Sequence, residues 1–139
     1  MKTKKKTESS VSDKVRFKNV IIKPVHTDDR GDIYDILEGA DVDHIGMVTF
    51  SKKGIVRGNH YHLKSVQYSY VLEGRLLLTI SDPNGKRKKE YTLEPGTFTA
   101  IPPLKVHSYK SLSKARMLDM STLDRNASGY EDDTVRVEL

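Results

Sequence analysis

Apolar and polar residues alternate along most of this chain in short stretches, which turn-forming residues separate. Alternation predicts strands, because successive side chains of a strand point to opposite faces of its sheet. No long stretch has the period of an amphipathic helix. Many short strands with frequent turns predict an all-β sandwich or barrel. The predicted strands are residues 15–24, 32–38, 44–51, 66–72, 75–81, 88–93, 97–101, 106–110 and 115–122.

Turn-forming residues predict how these strands connect. Asp82-Pro-Asn-Gly85 has proline at its second position and glycine at its fourth, as β-turns prefer. Glu94-Pro-Gly96 predicts another turn. Glu73-Gly74 predicts a tight turn, after which residues 75–81 would pair back on residues 66–72 as a hairpin.

The chain of 139 residues is long enough for one domain with a core. Residues 1–13 are rich in lysine, threonine and serine, which predicts a disordered basic tail. Residues 14–123 form the predicted folded domain. Residues 124–139 are predicted to be a C-terminal tail or an arm that adds a strand to a neighbouring subunit. Cysteine is absent, which excludes disulfides and thiolate ligands.

The net charge of +5 invites a nucleic-acid interpretation. However, four of the basic residues fall within the first six positions, and no helix-turn-helix or RNA-binding motif accompanies them. We therefore predict no nucleic-acid partner; the charge also suits an anionic small molecule such as a sugar nucleotide. No apolar segment has the length of a membrane span or the pattern of a secretory signal, so we predict a cytoplasmic protein without a membrane partner.

Three histidines carry the candidate chemistry. His60 and His62 are one residue apart within residues 54–74, so a strand would point both imidazoles to the same face. His107 ends a second apolar run, residues 96–107. Three convergent imidazoles could chelate one metal ion, or could place a base and an acid over one substrate.

These two stretches resemble the two signature motifs of the cupin superfamily. The first motif is matched by both glycines at its ends and by its histidine pair, while Gln67 stands where the family usually has glutamate. In the second motif Gly96, Pro102 and His107 match, Leu104 replaces a glycine and Ser111 replaces an asparagine. The resemblance covers roughly residues 18–122 and implies a cupin-type double-stranded β-helix, a jelly-roll barrel, which we predict to form a homodimer.

The cupin resemblance implies a metal site formed by His60, His62, Gln67 and His107. Three neutral imidazoles and an amide oxygen suit Zn, Ni, Fe or Cu, whereas the missing carboxylate weakens the case for Mn. The main prediction is therefore a metal-binding cupin that binds or transforms a carbohydrate-type small molecule.

A second resemblance supports an alternative function. Arg57-Gly-Asn-His60 is similar to the Arg-Gly-x-His segment of dTDP-4-keto-sugar 3,5-epimerases and 3,4-ketoisomerases. It implies that His60 removes the proton next to the keto group, that Arg57 and Asn59 bind the substrate, and that Tyr70 or Tyr109 returns a proton. Such an enzyme needs no metal.

A third alternative is a non-catalytic module that holds a small ligand in the mouth of the barrel. The remaining histidines, His26 and His44, have no partner pattern and are predicted to be structural or exposed.

Overall fold

The computed structural model describes residues 15–123 and 129–138. The predicted basic tail, residues 1–13, lies outside the described residues. The described elements are β1 (Lys18–Ile21), β2 (His26–Asp28), β3 (Gly31–Ile33), β4 (His44–Phe50), β5 (Val56–His62), β6 (Gln67–Glu73), β7 (Leu76–Ser81), β8 (Lys89–Leu93), β9 (Thr97–Ile101), β10 (Val106–Ser111), β11 (Ala115–Ser121), α1 (Gly129–Asp133) and β12 (Thr134–Arg136).

Ten of the described strands form two five-stranded antiparallel sheets. The first sheet has the order β1-β9-β6-β11-β4 and the second has the order β12-β5-β10-β7-β8, while β2 and β3 form a small separate sheet. The predicted all-β jelly-roll barrel is confirmed. Among the described residues, no helix is long and apolar enough to cross a bilayer.

Alternate residues of the strands build the core between the two sheets. Leu76, Leu78 and Ile80 on β7 all point inward, where they meet Phe50 and other apolar residues of the first sheet. This is the two-residue period from which the strand was predicted. A second apolar cluster covers the outer face of the first sheet, because residues 36–42 pack over β6, β9 and β11. In residues 32–38 only the start is a strand, since β3 ends at Ile33.

The predicted hairpin between residues 66–72 and 75–81 is wrong. β6 lies in the first sheet, whereas β7 lies in the second sheet between β10 and β8. Gly74 makes the crossing, with a φ of +81°, and a Cβ at this position would collide with the Lys114 carbonyl oxygen and with Ala115. The turn signal was right about where the chain bends. It did not indicate with which strand the residues after the turn would pair.

The turn at residues 82–85 is confirmed. The Gly85 N–H donates to the Asp82 carbonyl oxygen at 2.8 Å, and β7 pairs with β8 across this turn. The turn at residues 94–96 is confirmed in the same way, because the Thr97 N–H donates to the Glu94 carbonyl oxygen at 3.0 Å.

Residues 129–138 fold back onto the same chain. After α1, β12 pairs antiparallel with β5, and Thr134 lies opposite His62. The buried Asp133 carboxylate anchors this return, because it accepts hydrogen bonds from the Lys64 N–H at 2.7 Å and the Ser65 hydroxyl at 2.6 Å. The described part of the predicted arm or tail is therefore an edge strand of the second sheet.

Candidate functional site

A cavity of about 220 Å³ lies between the two sheets, and the core residues Tyr109 and Met117 form part of its wall. His60 and His62 on β5, Gln67 on β6 and His107 on β10 all line it. The four residues predicted as metal ligands thus lie together, although they come from three strands.

A bulge in β5 decides which residues face this cavity. Gly58 and His60 lie opposite consecutive residues of β10, so Asn59 between them has no partner on that strand. An extra residue on one strand of a pair shifts the alternation of side chains by one position. Arg57 and His60, three positions apart, therefore both line the cavity, whereas a regular strand would point them to opposite faces.

The bulge depends on the backbone of two residues. Gly58 has a φ of +103° and Asn59 a φ of +59°, which is the left-handed region that glycine and asparagine adopt most readily. A Cβ on Gly58 would lie 2.8 Å from the His107 carbonyl oxygen and 3.1 Å from the Ser108 Cα. Only glycine allows β10 to approach β5 this closely.

The three imidazoles form a compact cluster. Their ring centroids are 4.7 Å apart for His60 and His107, 4.9 Å for His60 and His62, and 5.4 Å for His62 and His107. One ring nitrogen from each lies within 4.8 Å of the others, so the three side chains are close enough to hold one metal ion.

His107 is a neutral imidazole with its proton on Nδ1. Burial, reinforced by the neighbouring imidazoles of His60 and His62, lowers the pKa of His107 from 6.5 to about 3. Its Nδ1 lies 3.1 Å from the Lys105 carbonyl oxygen, which can only accept a hydrogen bond. The proton is therefore on Nδ1, and Nε2 presents a lone pair to the cavity.

His62 is oriented by the C-terminal segment. Its Nδ1 lies 3.3 Å from the Thr134 hydroxyl oxygen, and that hydroxyl already donates its hydrogen to the Tyr130 carbonyl oxygen at 2.6 Å. A carboxylate oxygen of Asp133 is 3.6 Å from the same Nδ1. Both neighbours of Nδ1 are acceptors, so Nδ1 is protonated and Nε2 again presents a lone pair.

The side chain of Gln67 lies between Nε2 of His62 and Nε2 of His107. Its side-chain oxygen Oε1 is placed 2.9 Å from His62 Nε2 and 3.1 Å from His107 Nε2. An amide adds no negative charge, so four neutral donors would leave the charge of a divalent ion uncompensated. The position of the three histidines thus suits a metal ion, but the residue at the fourth position fits it poorly.

Two of the residues predicted to bind or protonate a substrate line the cavity, and two do not. Arg57 lines the cavity, and of its guanidinium N–H groups only Nε–H has a partner among the described residues, the Thr49 carbonyl oxygen at 3.3 Å. Tyr109 also lines the cavity; burial raises its pKa, and its hydroxyl donates to Ser69 at 3.2 Å.

Tyr70 and Asn59 are not brought to the cavity. Tyr70 faces the other side of β6 and packs against the outer apolar cluster. Asn59 serves the bulge through its backbone, where its carbonyl oxygen accepts a hydrogen bond from the Val137 N–H at 2.9 Å. Its side-chain oxygen is buried and has no hydrogen-bond partner among the described residues.

Leu104 shows why the second cupin motif has a glycine at this position. Its φ is +65°, in the left-handed region that leucine adopts with strain. The Leu104 N–H donates to the His62 carbonyl oxygen at 2.8 Å and so connects this turn to β5.

Among the cavity-lining residues that were not predicted for the site, His44 and Tyr130 have ring side chains with polar atoms. His44 lies at the start of β4 and was predicted to be structural or exposed. Tyr130 comes from α1, and its ring centroid is 5.9 Å from that of His62 and 6.5 Å from that of His60. No local signal marks Tyr130, because its position depends on the return of the chain to β5.

The comparisons with known proteins agree with this fold. Residues 46–121 match the cupin domain family, and this match includes both histidine motifs. No curated protein matches the chain at a significant level.

Several solved structures are similar in fold. A sugar 3,4-ketoisomerase from Thermoanaerobacterium thermosaccharolyticum, solved in complex with TDP, superposes with a TM-score of 0.72 at 21% identity, covering 87% of this chain and 88% of that chain. The TDP-fucose-3,4-ketoisomerase of Campylobacter jejuni gives 0.73 at 15% identity, covering 88% and 90%. The dTDP-4-dehydrorhamnose 3,5-epimerase of Bacillus anthracis, with TDP and PPi bound, gives 0.70 at 16% identity, covering 87% and 78%.

Identities this low support a shared fold and no more. The family match is stronger, because it spans more than half of the 139 residues and includes His60, His62 and His107 at the cavity. The chain belongs to the cupin family.

Proposed function

We propose that this protein binds a nucleotide-linked 4-keto sugar and transfers protons at the carbons next to the keto group, as a 3,4-ketoisomerase or a 3,5-epimerase that needs no metal. The observation that carries the proposal is the bulge at Gly58, which brings Arg57 to the same cavity as His60 and His62. A cation for a diphosphate and imidazoles for proton transfer are the two requirements of this chemistry. The similar structures include TDP complexes, which supports the same substrate class.

The proposed reaction begins with removal of a proton from a carbon next to the keto group. The C–H electron pair forms a carbon–carbon double bond, and the keto oxygen becomes an enolate that requires a proton or a hydrogen-bond donor. His60 is the proposed base. His62 packs against it, with the two ring centroids 4.9 Å apart. Tyr109 and Tyr130 supply further hydroxyl groups at the cavity wall.

The volume of the cavity indicates that it would hold only a part of the proposed substrate. Pockets that enclose a whole drug-sized ligand have volumes of roughly 300–1,000 Å³. The present cavity of about 220 Å³ is smaller, so it would take the sugar while the nucleotide stays at the mouth. Arg57 is exposed there, and its planar guanidinium suits a diphosphate.

The test of this proposal uses deuterium exchange. Protein is incubated with dTDP-4-keto-6-deoxyglucose in D₂O, and proton NMR follows the sugar. A 3-keto product with deuterium at C4 indicates the isomerase, and a 4-keto product with deuterium at C3 and C5 indicates the epimerase. His60→Asn should abolish exchange while binding of TDP persists. If TDP and the sugar nucleotide stabilise the protein but no deuterium is incorporated, the protein is the non-catalytic binding module.

The metal-binding cupin is the second candidate, and the compact cluster of His60, His62 and His107 favours it. A metal enzyme would lose exchange after treatment with EDTA and regain it with Zn, Ni, Fe or Cu. The metal-free enzyme should keep its full rate in EDTA.

Arg57 provides a separate test of the binding mode. Arg57→Gln should weaken TDP binding by about ten- to a hundred-fold, because a charge-assisted contact to phosphate contributes roughly 1.5–3 kcal/mol. Arg75→Gln is the matched control, since Arg75 pairs with Glu94 on the surface and does not line the cavity. The predicted homodimer remains part of the proposal, and sedimentation equilibrium of the purified protein tests it.

A further inference from the structure

The direction of the hydrogen bonds at Gln67 depends on which ring nitrogens of His62 and His107 carry protons. The Nε2 atoms of His62 and His107 lie 2.9 Å and 3.1 Å from the same Gln67 atom, which is placed as the amide oxygen Oε1. Their Nδ1 atoms face acceptors among the described residues. His62 Nδ1 faces the Thr134 hydroxyl, whose hydrogen is donated to Tyr130, and the Asp133 carboxylate, while His107 Nδ1 faces the Lys105 carbonyl oxygen. Neither Nε2 therefore carries a proton while its ring is neutral.

An amide oxygen at that place would face two lone pairs and make no hydrogen bond. The amide nitrogen has two hydrogens, one for each Nε2, and the oxygen and nitrogen of a glutamine are distinguished by their hydrogen-bond partners. We infer that Gln67 is a positioning residue whose amide nitrogen donates one hydrogen bond to His62 Nε2 and the other to His107 Nε2. This arrangement, the amide clamp, fills the place that a metal ion would need.

The amide clamp links the identity of residue 67 to the chemistry of the site. A metal ion could bind His62 and His107 only after both hydrogen bonds were broken, and the displaced amide would contribute no charge to the new site. A carboxylate at position 67 would reverse this preference, because it repels the two lone pairs in the absence of metal and attracts a cation. Gln67 thus holds the imidazoles in place and disfavours metal binding.

The inference rests on side-chain contacts and is independent of turnover. The proposed function is refuted if sugar nucleotides show no deuterium exchange. The amide clamp is refuted if the wild-type protein binds metal tightly, or if a neutral His107 carries its proton on Nε2. The two outcomes can be told apart in separate samples of the same protein.

The first experiment measures Zn²⁺, Ni²⁺ and Mn²⁺ binding to the full chain by calorimetry, together with elemental analysis. Wild-type protein should hold far less than one ion per chain, and Gln67→Glu should bind one ion at least on the order of 100-fold more tightly. Gln67→Leu is the matched control, because it removes the two donors without adding charge. It should remain much weaker than Gln67→Glu. Near-stoichiometric metal in wild-type protein, or equal affinity in Gln67→Glu, would overturn the inference.

The second experiment needs only wild-type protein and so does not depend on the variants folding. Long-range ¹H–¹⁵N NMR spectra should show both His62 and His107 neutral, with the proton on Nδ1. The two side-chain amide protons of Gln67 should exchange slowly and show NOEs to both rings, a signature that a merely space-filling residue would not produce. A proton on Nε2 of neutral His107, or rapidly exchanging Gln67 amide protons, would refute the amide clamp.

Discussion

Gly58→Ala tests the central feature of the site, the bulge that turns Arg57 and His60 to one cavity. The added methyl group meets two obstacles. The backbone φ of +103° is one that residues with a Cβ rarely adopt, and the Cβ would lie 2.8 Å from the His107 carbonyl oxygen. That oxygen belongs to β10, which two neighbouring strands hold in place, so the strand cannot easily move away.

The magnitude follows from these two effects. A residue with a Cβ in such a backbone conformation loses about 1–3 kcal/mol. Relieving the contact with β10 adds about 1–3 kcal/mol, which is typical of overpacking. The reduced entropy of the unfolded chain returns about 0.4–1 kcal/mol. The middle of these ranges gives an expected loss of about 3 kcal/mol in the free energy of unfolding, which a domain of ordinary stability survives.

Gly54→Ala is the matched control. Gly54 also has a positive φ, +91°, but a Cβ there would meet no atom within 4 Å. Its variant should lose only about 1 kcal/mol, from backbone strain alone. The assay is urea denaturation, which compares unfolding free energies at equal m values, together with TDP binding. Equal losses for the two variants would refute the close approach of β10, and unchanged TDP affinity in Gly58→Ala would refute the role of the bulge.

Three further predictions concern single residues. Leu104→Gly should raise the free energy of unfolding, measured by urea denaturation, by up to about 1 kcal/mol. The substitution removes the strain of a leucine in the left-handed backbone region, and this leucine is 52% exposed, so little packing is lost. A decrease of more than 1 kcal/mol in the free energy of unfolding would contradict this. Asp133→Asn should destabilise by about 1–3 kcal/mol, because the buried carboxylate accepts hydrogen bonds from Lys64 and Ser65. The exposed control Asp29→Asn should change little, and similar effects of the two variants would exclude the anchoring role. The pKa of His107 is about 3 in the folded protein and 6.5 for an ordinary histidine. Between these values the unfolded chain binds a proton at His107 and the folded chain does not. The contribution of neutral His107 to stability is therefore fully present above pH 6.5 and declines as the pH falls. At pH 5 the loss relative to high pH is about 2 kcal/mol. His107→Gln should show a correspondingly flatter pH dependence of the unfolding free energy, and an unchanged slope would show that His107 is not the responsible group.

Local patterns predicted the elements of this protein well. The two-residue period placed β4, β7 and β9 within a residue or two of their observed bounds, because alternation is a property of the strand itself. The same rule placed His60 and His62 on one face, and both line the cavity. The turn at residues 82–85 was predicted because proline and glycine fix a local backbone geometry.

Non-local contacts decided the rest. Arg57 joins His60 only through a bulge that exists because β10 lies opposite β5 in a shifted register. Tyr70 alternates correctly along β6 but faces the outer cluster, since alternation does not state which face lies inside the barrel. The crossing at Gly74 was missed because a turn signal does not identify the next partner strand.

The C-terminal segment shows this division most clearly. Residues 129–138 are too short and polar for their pattern to predict a place in the fold, and yet they bring Tyr130 to the cavity and Thr134 to His62. Their position is set by the pairing of β12 with β5 and by the buried Asp133. The sequence alone thus determined the strands, the turns and the histidine pair, because those depend on neighbours along the chain. The tertiary structure determined which side chains meet at the cavity, because strand pairing, register and bulges depend on residues that are distant in sequence.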